Sequence, residues 1–417
     1  MRRIIAILAL VLFGSSSAFA GGFSIYEASM RANALMGAFT AFADHASTIY
    51  YNPAGLANLD GIQIAGGATV IAPRSSFRNL GPLAPAGQKV NMEKQNFLVP
   101  NLYGTAQITD GLTAGIGVYA PFGLGTKWPS DWVGREHSIE AEIQTLFANP
   151  AVGYELPDFG LGDIKVGAGL MIAFHGEVTL SRAVSTFTPE GTFSLEGELK
   201  EPAYGYNLGL LYEPVDRVTL GFTYRSSVTT EYEGEATFTN LNVGFPDEAG
   251  GSAEIELPAS WVAALNVEIM DGLRAEVDYV WWGWSSYDEL ALQFDQVIPA
   301  LGGDELVNER NFQDSWQIRG GIEYTGFGVQ GLTLRGGLAY DKNPIPDEYL
   351  DPTLPDSDRL LFSGGLTYAL TPAVEVDVAY IFIRAKERRT TESPMSPDGV
   401  YNTYAHLPGI GLTLNLK

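Results

Sequence analysis

The chain has no cysteine among its 417 residues. Thiol chemistry and disulfides are therefore excluded, and a protein of this size must be held together by its own topology. Charge is also scarce. Asp, Glu, Lys and Arg make up 18% of the chain, against roughly 25% in soluble domains. The balance is acidic, with a net charge of −24, which argues against nucleic acid as a partner. The histidines (His45, His137, His175 and His406) are too scattered for zinc-ligand spacing. There is no phosphate-cradling glycine loop and no Gly-x-Ser-x-Gly elbow. The sequence thus predicts no catalytic residues, no metal and no cofactor, and the chain does not read as an enzyme. Past residue 20, no uninterrupted apolar run is long enough for a spanning helix.

What is present begins with a leader. Arg2 and Arg3 precede an apolar run from Ile4 to Phe13, and Ala18-Phe19-Ala20 is a small-x-small cleavage site. Residues 1–20 read as a signal peptide, with the mature chain starting at Gly21. An exported chain without a spanning helix is either a secreted soluble protein or a membrane β-barrel. The 48 glycines and 12% aromatic residues favour the barrel.

The strand signal is alternation with period two. In Val218–Arg225 the apolar set Val218, Leu220, Phe222 and Tyr224 faces Thr219, Gly221, Thr223 and Arg225. Leu273–Tyr279, Trp316–Tyr324, Leu332–Tyr340 and Val374–Phe382 repeat the pattern. Apolar faces end in Tyr224, Tyr279, Trp281, Tyr324, Tyr340 and Tyr380, where an aromatic girdle belongs. Tight connections at 109–111, 156–163, 213–217, 270–272, 325–331 and 370–373 carry Gly, Pro or Asp. They alternate with long polar ones near 73–93, 122–137, 183–199, 233–252, 286–311, 342–357 and 384–401. The sequence therefore predicts an all-β membrane protein with about fourteen antiparallel strands, short turns on the periplasmic side and long loops outside. Arg225, Arg274, Glu276, Asp278, Arg319, Glu323, Arg335, Glu375 and Asp377 fall on inward positions. A hydrated, ion-paired lumen can hold such charges, whereas a sandwich core cannot; most of them read as structural pairs.

One stretch does not alternate. Ala34–Leu56 is rich in small apolar residues and ends in an Asn52-Pro53-Ala54 turn. It reads as a compact plug ahead of the strands. Two other stretches are apolar enough to meet a greasy ligand: Tyr119–Trp132, with Phe122, Leu124, Trp128, Trp132 and Lys127, and Val280–Trp284, with Trp281, Trp282 and Trp284. The acid-rich run from Asp341 to Arg359 matches no calcium-loop spacing and reads as a solvated outer loop.

The opening Gly22-Phe23, the Gly37…Ala43-Asp44 segment and Asn52-Pro53-Ala54 resemble the N-terminal hatch of the FadL family of outer-membrane transporters. Val99-Pro100-Asn101, Leu257-Pro258-Ala259-Ser260-Trp261, Tyr340–Pro346 and Leu354-Pro355-Asp356-Ser357-Asp358-Arg359 are similar to further family motifs. The likeness runs over essentially the whole mature chain. It implies a signal peptide over 1–20, a hatch over 21–60 inside the lumen and a fourteen-stranded transmembrane β-barrel over 61–417. It also implies passive uptake of long-chain fatty acids or other hydrophobic compounds across a Gram-negative outer membrane. Ligand would be caught at the outer loops by Phe122, Leu124, Trp128 and Trp132. It would then pass to an interior pocket with Arg182, Arg310, Ala120 and Phe122. It would leave sideways through a gap where the third strand kinks, with Asn52, Pro53, Ala54 and Gly55 forming the gate at that gap. Ala120 replaces a family serine, and Asn308 stands near a family basic residue, with Arg310 close by. These departures open the alternative of a monoaromatic hydrocarbon channel. The chain also ends in Lys417 rather than an aromatic residue. Outer-membrane lipid and lipopolysaccharide are the expected surroundings and a monomer the expected state. A surface adhesin is the alternative from another class.

Overall fold

The alternating segments are strands. The computed structural model describes residues 21–416 apart from 161, 186–189, 242, 327 and 391–392; the expected leader over 1–20 lies outside the described residues. The barrel strands are β1 (Ile62–Asn79), β2 (Phe97–Thr109), β3 (Leu112–Tyr119, resuming as Gly123–Lys127), β4 (Glu140–Glu155), β5 (Asp163–Val184), β6 (Ala203–Val215) and β7 (Val218–Arg225). They continue as β8 (Ser260–Met270), β9 (Leu273–Trp282), β10 (Ser315–Tyr324), β11 (Leu332–Asp341), β12 (Arg359–Thr371), β13 (Val374–Ala385) and β14 (Gly399–Leu416). Each pairs antiparallel with the next. β1 then pairs with β14 from Ile62↔Leu416 to Asn79↔Gly399, which closes a 14-strand barrel. Closure leaves no unpaired edge.

Alternation sorts the two faces. Along β10, Ile318 and Ile322 are exposed while Gln317, Arg319, Gly321 and Glu323 are buried. An apolar outward face is what hydrocarbon requires; an arginine there would cost roughly 2–4 kcal/mol at the bilayer midplane. Outward rings adjoin one another across neighbouring strands. Trp261 lies 5.5 Å from Tyr279, Tyr279 lies 6.5 Å from Trp316, and Trp316 lies 5.5 Å from Tyr340. This is the predicted girdle, and Trp281 joins it 6.3 Å from Trp261.

The tight connections fall where expected. The long ones differ: most of those read as loops contain further strand, and in 183–199, 233–252 and 286–311 it builds an extended outer sheet. Gly191–Leu199 pairs with the outer end of β5 and with Val228–Thr239. Val228–Thr239 pairs with Glu248–Leu257, which meets Glu289–Ile298, which pairs with Gly303–Glu309. Polar residues on the outer face of these strands gave them the look of loops. Their inner face, with Phe193, Leu195, Ala253, Ile255 and Leu292, is buried.

Candidate functional site

Residues 21–59 are not part of the wall. Most are buried, and they carry only two helical turns, Met30–Ala34 and Thr48–Tyr51, and a 3₁₀ stretch Pro53–Asn58. Inward glycines make room for them. A Cβ on Gly167 would come within 2.2 Å of Pro53, on Gly209 within 2.1 Å of Asn52, and on Gly337 within 2.4 Å of Leu35. Gly221 faces Thr40, Gly365 faces Ala34 and Gly409 faces Met30. The wall therefore gives up side chains where the segment needs volume.

The inward charges predicted from alternation meet this segment. Arg31 pairs with Glu375 and lies 3.6 Å from Asp377. Arg274 bonds Asp44 at 2.6 Å and also pairs with Glu323, which Arg335 holds at 2.7 Å. Glu276 accepts the Ala41 N–H at 2.9 Å, and Asp278 accepts the Thr40 hydroxyl at 3.1 Å. Arg319 stacks over Tyr26 at 4.3 Å and Arg225 over Tyr50 at 4.0 Å. Removing one partner of such a buried pair costs about 3–5 kcal/mol, because the other charge is left uncompensated.

The Asn52-Pro53-Ala54-Gly55 turn is fixed by Asn52. Its amide donates to Thr40 O at 2.8 Å and to Leu210 O on β6 at 3.1 Å, and its Oδ1 accepts from the Ala54 N–H at 3.1 Å. The turn packs against Gly153, Gly167 and Gly209, on β4 to β6, and Gly55 fits against Ala43 and Thr48. This corrects the expected placement of the turn at a gap beside the third strand. β3 does break, at Ala120-Pro121-Phe122, but the residues bonded there are Phe23 and Ile25. Ile25 donates to Pro121 O at 2.7 Å, and Gly123 donates to Phe23 O at 2.9 Å. Pro121 cannot donate to a neighbouring strand, and the chain turns inward to meet the segment. Just ahead, Gly21 donates to Asp341 at 3.1 Å and Gly22 to Asp356 at 3.2 Å.

Above the segment lie two adjoining cavities. The inner one, about 720 Å³, is walled by Phe23, Leu124, Leu195, Ile255, Leu292 and Phe312, with Glu142 on its lining. The outer one, about 820 Å³, has a mixed lining, more polar than the inner one, and includes His137, Ser181, Arg182, Phe193, Asn308 and Met395. Arg310 and Asp351 line both and are paired with each other. Thus Arg182 and Arg310, from distant parts of the chain, face one cavity. Arg182 lies 5.7 Å from the Phe193 ring, and no carboxylate lies within ion-pair distance of it among the described residues.

Other expectations need correction. Trp128 is 0% and Trp132 2% exposed. They stack on each other at 4.5 Å and pack on Phe77 and Tyr401, and their indole N–H groups donate to Pro352 O and Ser138 O. They form the core of the outer loops, with no surface free for a ligand to land on. Ala120 and Phe122 are buried at the break in β3 and line neither cavity; Phe122 packs on Phe23, Trp282 and Trp284, one layer behind. Leu124 does line the inner cavity. The acidic run 341–358 is stapled by cations and largely buried. Asp347 pairs with Arg388, Asp358 with Lys342 and Lys386, and Asp341 with Arg359. Burial pushes the Asp356 carboxyl up to about 6, against the pull of Arg359. Tyr287, Phe312 and Asp351 line the inner cavity without any mark in the sequence; the first two border the Trp284 aromatic cluster, and Asp351 is one acid among several in its loop.

Residues 11–416 match the family described as outer membrane protein transport protein (OMPP1/FadL/TodX). A long-chain fatty acid transport protein of Escherichia coli is 26% identical, covering 93% of this chain and 92% of that one. The outer membrane protein P1 of Haemophilus influenzae is 23% identical over 90% of each chain. Among solved structures, a FadL homologue of Pseudomonas aeruginosa superposes with a TM-score of 0.82 at 19% identity, covering 95% of this chain and 100% of that one. The Pseudomonas putida toluene transporter TodX gives 0.70 at 17%, covering 94% and 99%. With the family match spanning nearly its whole length and a closed barrel carrying an aromatic girdle, this chain belongs to the OMPP1/FadL/TodX family of outer-membrane transport proteins for hydrophobic compounds.

Proposed function

We propose that the protein is a passive, monomeric uptake channel for long-chain fatty acids. The ligand's carboxylate lies in the outer cavity at Arg182, within reach of Arg310, and its alkyl chain extends into the inner cavity. Movement of the 21–60 segment then opens the break at Ala120–Phe122, and ligand leaves sideways. The observation that carries this reading is the junction of an apolar cavity with a more polar one. One is apolar, and the other mixes polar and apolar walls around a cation that no described carboxylate neutralises. An amphiphile with one anionic end fits that junction, its chain against the apolar walls and its head at the cation. A surface adhesin has no need of such a cavity.

The second reading, a channel for neutral monoaromatic hydrocarbons, is favoured by Glu142 on the inner lining and by the likeness to the toluene transporter TodX. Competition between labelled oleate and toluene on the purified protein in detergent separates the two. Fatty-acid uptake predicts tight oleate binding that toluene displaces poorly. If reversing the charge at both Arg182 and Arg310 left oleate affinity intact, the carboxylate assignment would be wrong.

A further inference from the structure

Arg310 and Asp351 stand at the boundary between the cavities, at 9% and 7% exposure. Asp351 has both oxygens in use. Oδ1 accepts the Thr353 N–H at 2.8 Å and the Leu354 N–H at 3.3 Å, and Oδ2 pairs with Arg310 Nη1. Arg310 is placed by its own backbone, whose N–H donates to Asp288 O at 2.6 Å. Its Nε is buried and has no hydrogen-bond partner among the described residues. The guanidinium is therefore partly used, with one arm on Asp351 and its Nε–H unclaimed.

We propose that Asp351 sets the specificity of this boundary: it is an internal carboxylate that competes with an ionised ligand headgroup for Arg310. This rests on the reading of the two cavities as the ligand path. A neutral molecule passes inward with the pair intact. An ionised headgroup gains the full charge of Arg310 only in competition with Asp351, which already neutralises that guanidinium from Nη1. Displacing Asp351 replaces one carboxylate with another on the same guanidinium and strands a buried acid, a costly outcome. Glu142 on the inner lining adds repulsion of like sign. The headgroup therefore stays outward at Arg182, which has no such competitor among the described residues, and only the chain enters the inner cavity. Arg182 attracts the ligand, and Asp351 decides how far its charged end travels.

The test uses the full-length protein in detergent, with labelled oleate and labelled oleyl alcohol, which share a chain and differ in headgroup charge. Asp351→Asn keeps an Oδ1 acceptor for Thr353 and Leu354 and removes the charge. Oleate should bind on the order of tenfold tighter, with oleyl alcohol within about twofold. Asp351→Glu, which keeps the charge, should retain weak oleate binding. In an Arg310→Gln background, Asp351→Asn should no longer improve oleate binding. Unchanged or weaker oleate binding in Asp351→Asn overturns the proposal, as does a parallel shift of both ligands, which would signal a loosened loop. If the wild-type protein binds neither ligand, the two-cavity reading fails and this inference falls with it.

Discussion

The lumen and the region above it use the same residue types to opposite ends. In the lumen, Arg31, Arg274 and Arg335 are each paired with carboxylates, and Arg319 is closed over Tyr26 and Gly37. Glycines face the N-terminal segment, leaving little room for a guest. Above it, Arg182 has no described carboxylate partner, Arg310 has one, and both border open volume. Buried charge on its own says little about function. A charge whose partners lie in the segment it holds is structural, and a charge beside an empty cavity is available to a ligand.

Deleting Ala34–Ala54 would break the comparison most forcefully. Arg274, Glu276 and Asp278 would lose Asp44, Ala41 and Thr40, and the barrel should either fail to assemble or conduct small solutes freely in a planar bilayer. Unchanged permeability together with unchanged uptake would mean that the segment neither fills nor gates the lumen. Next in size, Arg182→Glu should weaken oleate binding by one to two orders of magnitude, roughly, while leaving toluene binding and thermal stability in place. An equal loss for both ligands would place Arg182 with the structural arginines. Arg31→Met tests the other half: Glu375 and Asp377 are left facing each other, and the protein should lose about 3 kcal/mol of stability with oleate affinity unchanged, read by denaturant unfolding and a binding titration.

The smallest effect concerns pH. Asp356 titrates higher in the folded protein, at about 6, than in the unfolded chain. Its stabilising share is complete below the unfolded carboxylate value and fades as pH rises through about 6. The difference in melting temperature between wild type and Asp356→Asn should therefore move against the wild type between pH 4 and pH 7. A difference that stays flat over that range would show that burial there is weaker than the packing suggests.

Much of this was legible in the sequence. Alternation gave the strands and the inward charges, and turn chemistry gave the tight connections, because both are local. Arg182 and Arg310 were reached by resemblance, and the fold brings them to one cavity. What stayed hidden depends on distant partners. Trp128 and Trp132 look the same in sequence whether they meet solvent or, as here, Phe77, Pro352 and Tyr401. The outer strand Glu248–Leu257 alternates through small residues, Ala249, Gly251 and Ala253, which carry little hydrophobic signal. Nothing local separates Asp351 from the acids around it; only its position opposite Arg310 does.

The closing seam between β1 and β14 has a backing. Asn33 bonds Thr69 on β1 at 2.9 Å, His45 meets Thr413 on β14 at 3.0 Å, and Met30 lies under Gly409 and Gly411. The earliest part of the described chain thus touches both sides of the joint that the last strand makes. A seam between residues so far apart in sequence is the slowest kind of contact to form, and this one has a template lying across it. The segment that stops the pore is also the splint on which the cylinder is joined, so damage to it should appear in the yield of folded protein before it appears in transport.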